Sequence, residues 1–169
     1  MSTQEVLSHS YYFRKLKSKI YTLCFLINGI DKCSIKDQVH FHLMKTLFFG
    51  DGNFKNKFIH LVNTHGEISL FLDKNSLDRF NHNLSSSIKE IINSDSSCFR
   101  AIEIYSLEND LHSSGVTSLI SGNLAEVNIP LVYTNSFNSS FILVPENRYL
   151  EACVILKSLA DESEDKSDD

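Results

Sequence analysis

Twice along this chain the apolar residues change spacing in the same order. They alternate, then recur every third or fourth position, then alternate in two runs joined by a turn, then return to the wider spacing. Alternation belongs to a strand with one buried face and the wider spacing to one face of a helix. The chain therefore spells strand-helix-strand-strand-helix, and then spells it again.

In the first cycle KIYTLCFLI, Lys19 to Ile27, is rich in β-formers and stops at the turn pair Asn28-Gly29. Ile35, Val39, Leu43 and Leu47 then mark one stripe of a helix that ends near Gly50. After Asp51-Gly52-Asn53 come KFIHLVN and EISLFLD, joined by Thr64-His65-Gly66, with Ile68, Leu70 and Leu72 alternating against polar neighbours. A weaker helical pattern follows in Leu84, Ile88, Ile91 and Ile92. The second cycle opens with CFRAIEIYS, Cys98 to Ser106, and places Val116, Leu119, Ile120, Leu124 and Val127 at helical spacing until Pro130 stops the helix. PLVYTNSF and SFILV form a hairpin, and Tyr149, Ala152, Cys153, Leu156 and Ala160 stripe a last helix.

This order is the split βαβ, ferredoxin-like arrangement, an α+β fold with an antiparallel sheet and its helices on one face. The expected modules are residues 19–97 and 98–160, preceded by an extension, 1–18, and followed by a disordered acidic tail, 161–169. The second cycle has no strand after its last helix. A closing strand must come from the first cycle or from a partner chain, and the helix-free sheet face needs a second copy to bury it, so interleaving or a homodimer is expected.

Composition narrows the function. The tail DESEDKSDD holds six acids and one lysine, which is the whole of the formal charge of -5, so residues 1–160 sum to zero. No basic surplus favours nucleic acid or an anionic membrane surface, and the short basic run FRKLKSK reads as a solvated face. The longest apolar run, Ile20 to Ile27, is too short to cross a bilayer, and residues 1–10 show no signal-peptide core, which predicts a cytoplasmic protein. Cys24, Cys33, Cys98 and Cys153 stand far apart with no CxxC pair and read as buried free thiols. His40 and His42 point to different helix faces, and His60 and His65 have no ligand partners at metal spacing. No nucleotide loop, nucleophile elbow or zinc-protease motif is present. The expectation is a non-enzyme without cofactor or metal.

One constellation fits a ligand. Between Ser106 and the next helix lies LENDLHSSG, in which Ser113 and Ser114 offer caps and Gly115 lets a backbone approach closely, just before Val116. Free amides at such a helix start can receive a carboxylate. The split βαβ order lays the hairpin strand beside the strand ending at Ser106, so Asn135, Ser136 and Asn138 can face the same helix start. Spacing alone favours an ordinary capped helix beside a polar hairpin.

GVTSLISGNLAEVNIPLVYTNSFNSSFILVPE, Gly115 to Glu146, resembles the ACT-domain segment of the CASTOR family of cytosolic arginine sensors, itself similar to the regulatory ACT domains of aspartate kinases. The shared pattern is the Gly-Val helix opening, a hydrophobic strand, Ser/Thr-Phe/Tyr-Asn before a turn, and FILVPE. Weaker similarity runs back through KFIHLVNTHGEISLFLDKNSLDRF and covers roughly residues 20–160. The resemblance implies tandem ACT modules and an amino acid or similar small metabolite bound between modules. It also implies action through GATOR-type subcomplexes that control the TOR kinase complex. The arginine sensors carry two such halves where this chain has one, and a homodimer would rebuild the four-module body. Carried over residue by residue, the ligand site comprises Ser113, Ser114, Gly115, Val116, Asn135, Ser136, Phe137, Asn138 and Ser140. Where the relatives place acids, this chain has Ser113 and Ser140, and a buried guanidinium without a carboxylate partner costs several kcal/mol. Glu108 and Asp110 are loop acids that can supply that charge. A structural adaptor that kept the fold and lost the ligand is the competing reading.

Overall fold

A computed structural model of the chain describes residues 11–26, 33–48, 58–64, 67–82, 84, 86–90, 92–106, 115–136 and 139–164. Two units divide the chain, residues 18–98 and residues 1–17 with 99–169. Strand β1 (Tyr11–Leu26) contributes to both, and so does β4 (Ile92–Ser106).

In the first unit the later half of β1 is followed by α1 (Cys33–Phe48), β2 (Ile59–Asn63), β3 (Glu67–Asp73), α2 (Lys74–Asn81) and α3 (Ser86–Lys89). Strand β3 lies between β1 and β2, antiparallel to both, with Leu23 opposite Leu70 and Leu61 also opposite Leu70. The alternating Ile68, Leu70 and Leu72 enter a core with Leu23, Val39, Leu43, Phe80 and Ile88. The helical pattern expected around Leu84 to Ile92 resolves differently. Among the described residues there, Ser86–Lys89 alone is helical, and Ile92 already begins β4.

An unexpected helix, α2, starts directly at the end of β3, and its cause is local. Asp73 keeps an extended backbone, φ -65° and ψ 163°, while its carboxylate accepts from the Ser76 amide at 3.0 Å and the Ser76 hydroxyl at 2.8 Å. Its second oxygen also accepts from the Phe58 amide at 2.9 Å, so one buried acid caps a helix and fixes the start of β2.

The second unit contains β4, α4 (Val116–Glu126), β5 (Val132–Asn135), β6 (Ser140–Pro145), a 3-10 turn (Glu146–Arg148) and α5 (Tyr149–Glu164). Strand β6 is central, antiparallel to β4 with Ala101 opposite Leu143 and Ile104 opposite Ser140, and antiparallel to β5 with Val132 opposite Leu143. Ile102, Ile104, Ile142 and Val144 pack against Val116, Ile120 and Leu124 of α4 and Tyr149, Ala152 and Leu156 of α5. Helix α4 ends in a left-handed residue, Asn128 at φ 55°, and the Arg148 guanidinium donates to the Val127 carbonyl at 2.9 Å, satisfying a helix-end acceptor.

The strand missing from the second cycle is supplied by the chain's own start. β1 neighbours β4. Arg14 bonds Glu103 and the Arg100 guanidinium donates to the Leu16 carbonyl at 3.2 Å, a pairing in the antiparallel sense. Residues 11–17, expected to stand outside the modules, are therefore strand. Their dense lysines and arginine hid the strand, and Phe13 and Leu16, three positions apart, show no alternation that would mark one buried face. The helix α5 also continues to Glu164, into the stretch expected to be disordered, because nothing between Ala160 and Glu164 is a helix breaker. Residues 165–169 lie outside the described residues.

On the face of this sheet away from the helices, Ala101 and Leu143 are fully buried within the single chain. The bare apolar face expected to call for a second copy is not bare at these positions. At the end of the sheet away from the hairpin, the Arg100 guanidinium stacks 4.4 Å from the centre of the Tyr149 ring. The Tyr149 hydroxyl and Arg100 Nε are buried without hydrogen-bond partners. Burial, with Cys153 beside it, pushes the Tyr149 phenol up to about 12.

Candidate functional site

Helix α4 begins without a side-chain cap. Its N-cap is Gly115, exposed and in the left-handed region at φ 107°, where a Cβ would be strained, and the first helical bond runs from the Leu119 amide to the Gly115 carbonyl at 2.8 Å. Val116 turns its side chain into the core, so only its backbone can serve a ligand. Ser113 and Ser114 lie outside the described residues, as do Glu108 and Asp110.

The hairpin between β5 and β6 is closed by its own serines. The Ser136 amide donates to the Ser139 carbonyl at 2.8 Å, and the Ser136 hydroxyl donates to that carbonyl and accepts from the Ser139 amide, both at 3.1 Å. Asn135 is exposed opposite the buried Ser140. Phe137 and Asn138, at the turn itself, lie outside the described residues. The register places this hairpin at the end of β4 from which the chain goes on toward α4, because Ser140 pairs with Ile104.

Cross-strand partners share a sheet face. Ile104 belongs to the helix-covered core, so Ser140 lies on the same side as α4, together with Ile142 and Ile102. The structure thus brings Asn135, Ser136 and Ser140 together in one hairpin, with Ser140 on the face that carries α4.

Spacing gave no role to Glu103. It sits inside the apolar strand β4 with Phe141 opposite, on the helix-free face, and its side chain is 8% exposed. One carboxylate oxygen accepts from the Ser139 hydroxyl at 2.8 Å, and the other accepts from Arg14 Nε at 2.6 Å. The one available signal was an acid between two isoleucines, Ile102 and Ile104, in a stretch read as a strand.

Among the described residues no group of three or more His, Cys, Asp or Glu side chains converges as a metal would require, and no helix is long and apolar enough to cross a membrane. Cys24 and Cys98 are half-buried and Cys153 is buried, all as free thiols.

No family model matches the chain, and no curated protein matches it. Solved structures do. The ligand-free regulatory subunit of aspartate kinase from Thermus thermophilus is similar over 90% of this chain and 97% of its own, at 11% identity and a TM-score of 0.60. The aspartokinase alpha and beta subunit structure is similar over 90% and 97%, at 17% identity and a TM-score of 0.60. A Vibrio cholerae protein of unknown function, described as a possible transport protein, is similar over 94% and 96%, at 14% identity and a TM-score of 0.57. At these identities the likeness is one of fold. The chain has the α+β architecture of the regulatory ACT domains of aspartate kinase, with an antiparallel sheet and packed helices.

Proposed function

We propose that the chain is a non-catalytic regulatory protein that binds an amino acid or similar small metabolite between the start of α4 and the β5–β6 hairpin. It reports occupancy through protein contacts, as the CASTOR-like sensors it resembles do through GATOR-type subcomplexes in TOR signalling, in the cytoplasm and as a homodimer. The observation that carries the reading is the start of α4. An exposed glycine replaces a capping side chain there, leaving the first turn's positive end to an anionic group such as a ligand carboxylate. Asn135 and Ser140 supply polar groups from the hairpin, and Phe137, Asn138, Ser113 and Ser114 complete the set by their place in the motif.

A second reading, an adaptor without ligand, draws on the hairpin. Ser136 spends its hydroxyl on Ser139, which is what a tight turn alone would need. A thermal-shift screen against the common amino acids separates the two. A ligand at a hundred times its dissociation constant stabilises by about 2.7 kcal/mol, and exchanging the exposed Asn135 for alanine should diminish that shift without unfolding the protein. No shift with any amino acid leaves the adaptor.

A further inference from the structure

A carboxylate buried in a sheet requires a positive partner, and Glu103 takes its partner from outside. Its side chain is 8% exposed whereas that of Arg14 is 65% exposed. Asp73, the other deeply buried acid among the described residues, spends its oxygens on the Phe58 and Ser76 amides and the Ser76 hydroxyl, which accounts for it as a cap. Glu103 accepts instead from side chains of two separate segments, Arg14 in β1 and Ser139 in the hairpin. Phe141 stands directly across from it on β6, and Thr134, opposite Phe141 on β5, is buried on the same face. A carboxylate backed by a hydroxyl and flanked by an aromatic residue suits a planar cation.

We propose that Glu103 and Ser139 form a guanidinium seat on the helix-free face of the second unit, that Arg14 is its built-in occupant, and that a small guanidinium compound takes Arg14's place. The seat is separate from the site between α4 and the hairpin, because Glu103 faces away from the helices while Ser140 faces toward them. The class of ligand is read from the group already bound: Arg14 brings Nε and a terminal nitrogen together onto one oxygen of Glu103, the paired donor edge of a planar guanidinium, while the other oxygen is held by Ser139. Displacement also breaks the link that runs from Arg14 through Glu103 to Ser139 of the hairpin. Occupancy would therefore be felt along the closing strand.

A tethered occupant acts at an effective concentration in the millimolar range, so removing it should tighten binding of a free competitor by about tenfold or more. The probe is agmatine, which has a guanidinium but no carboxylate and so cannot use the start of α4. Arg14→Ala should melt below the unaltered protein and regain stability as agmatine is added. Calorimetry should show tighter agmatine binding to Arg14→Ala than to the unaltered protein, and the double variant Arg14→Ala with Glu103→Gln should lose the response. If Arg14→Ala does not fold, Arg14→Lys serves, because its point charge is the weaker occupant. Equal agmatine affinity in the variant and the unaltered protein, or a response that survives Glu103→Gln, reduces the pair to an ordinary structural ion pair and overturns the proposal.

Discussion

Tyr149 buries a hydroxyl that no neighbour bonds, while its ring carries the Arg100 guanidinium. Tyr149→Phe keeps the stacked ring and removes the unpartnered oxygen, so it should leave stability unchanged or raise it by about 1 kcal/mol at neutral pH, measured by urea denaturation. The phenol also sets an alkaline limit. Its folded value is about 12, whereas an unfolded tyrosine ionises near pH 10. Across that window the folded protein keeps a proton that the unfolded chain gives up, so the contribution is full below about pH 10 and is lost as pH rises toward 12. The Tyr149→Phe variant should show a shallower alkaline decline. Asp73→Ala should act the other way. It deletes a cap and strands the Phe58 amide and the Ser76 hydroxyl, costing about 2–4 kcal/mol in the same measurement. At this scale the sequence was partly readable. Gly115 stood out because glycine before a helical stripe has few other uses. Glu103 did not, because a lone acid in a strand looks the same whether it points to water or to a buried serine and arginine.

Among the elements, those with long periodic stripes were legible: α1, α4, α5 and the strands β3 and β6 fall where alternation and helical spacing put them. Helix α2 was not, since Leu77 and Phe80 are its only large apolar residues and its start depends on a cap formed after folding. The first half of β1 was hidden by its lysines, which an outer strand tolerates well. Its role predicts a polarised effect of truncation. Removing residues 1–17 strips β4 of a neighbour, so hydrogen exchange should accelerate at the amides of Ala101 to Ile104. The amides of β3, in the other unit, should keep their protection. Uniform acceleration across both would show that the strand closes neither unit in particular.

For the whole molecule, the repeated order strand-helix-strand-strand-helix was enough to give the α+β class, because period and order survive where residue identity does not. The source of the closing strand was beyond it, since pairing between distant segments leaves no local trace. The expected homodimer turns instead to exposed apolar residues within each unit. The helix-free face of the second unit is covered at Ala101 and Leu143, but Phe41 and Met44 on α1 and Leu150 and Val154 on α5 are exposed pairs at helical spacing. Light scattering at micromolar concentration should report about twice the chain mass of 19.2 kDa; a particle of one chain mass contradicts the dimer. The path of β1 has a further consequence for how the molecule is made. Arg14 meets Glu103, 89 positions later in the chain. At synthesis rates of about 5–20 residues per second, this strand waits several seconds or more after its own synthesis for its neighbour. The first unit can form in the meantime, and the waiting edge is guarded against other chains by Arg14, Lys15 and Lys17, the same charges that concealed it as a strand.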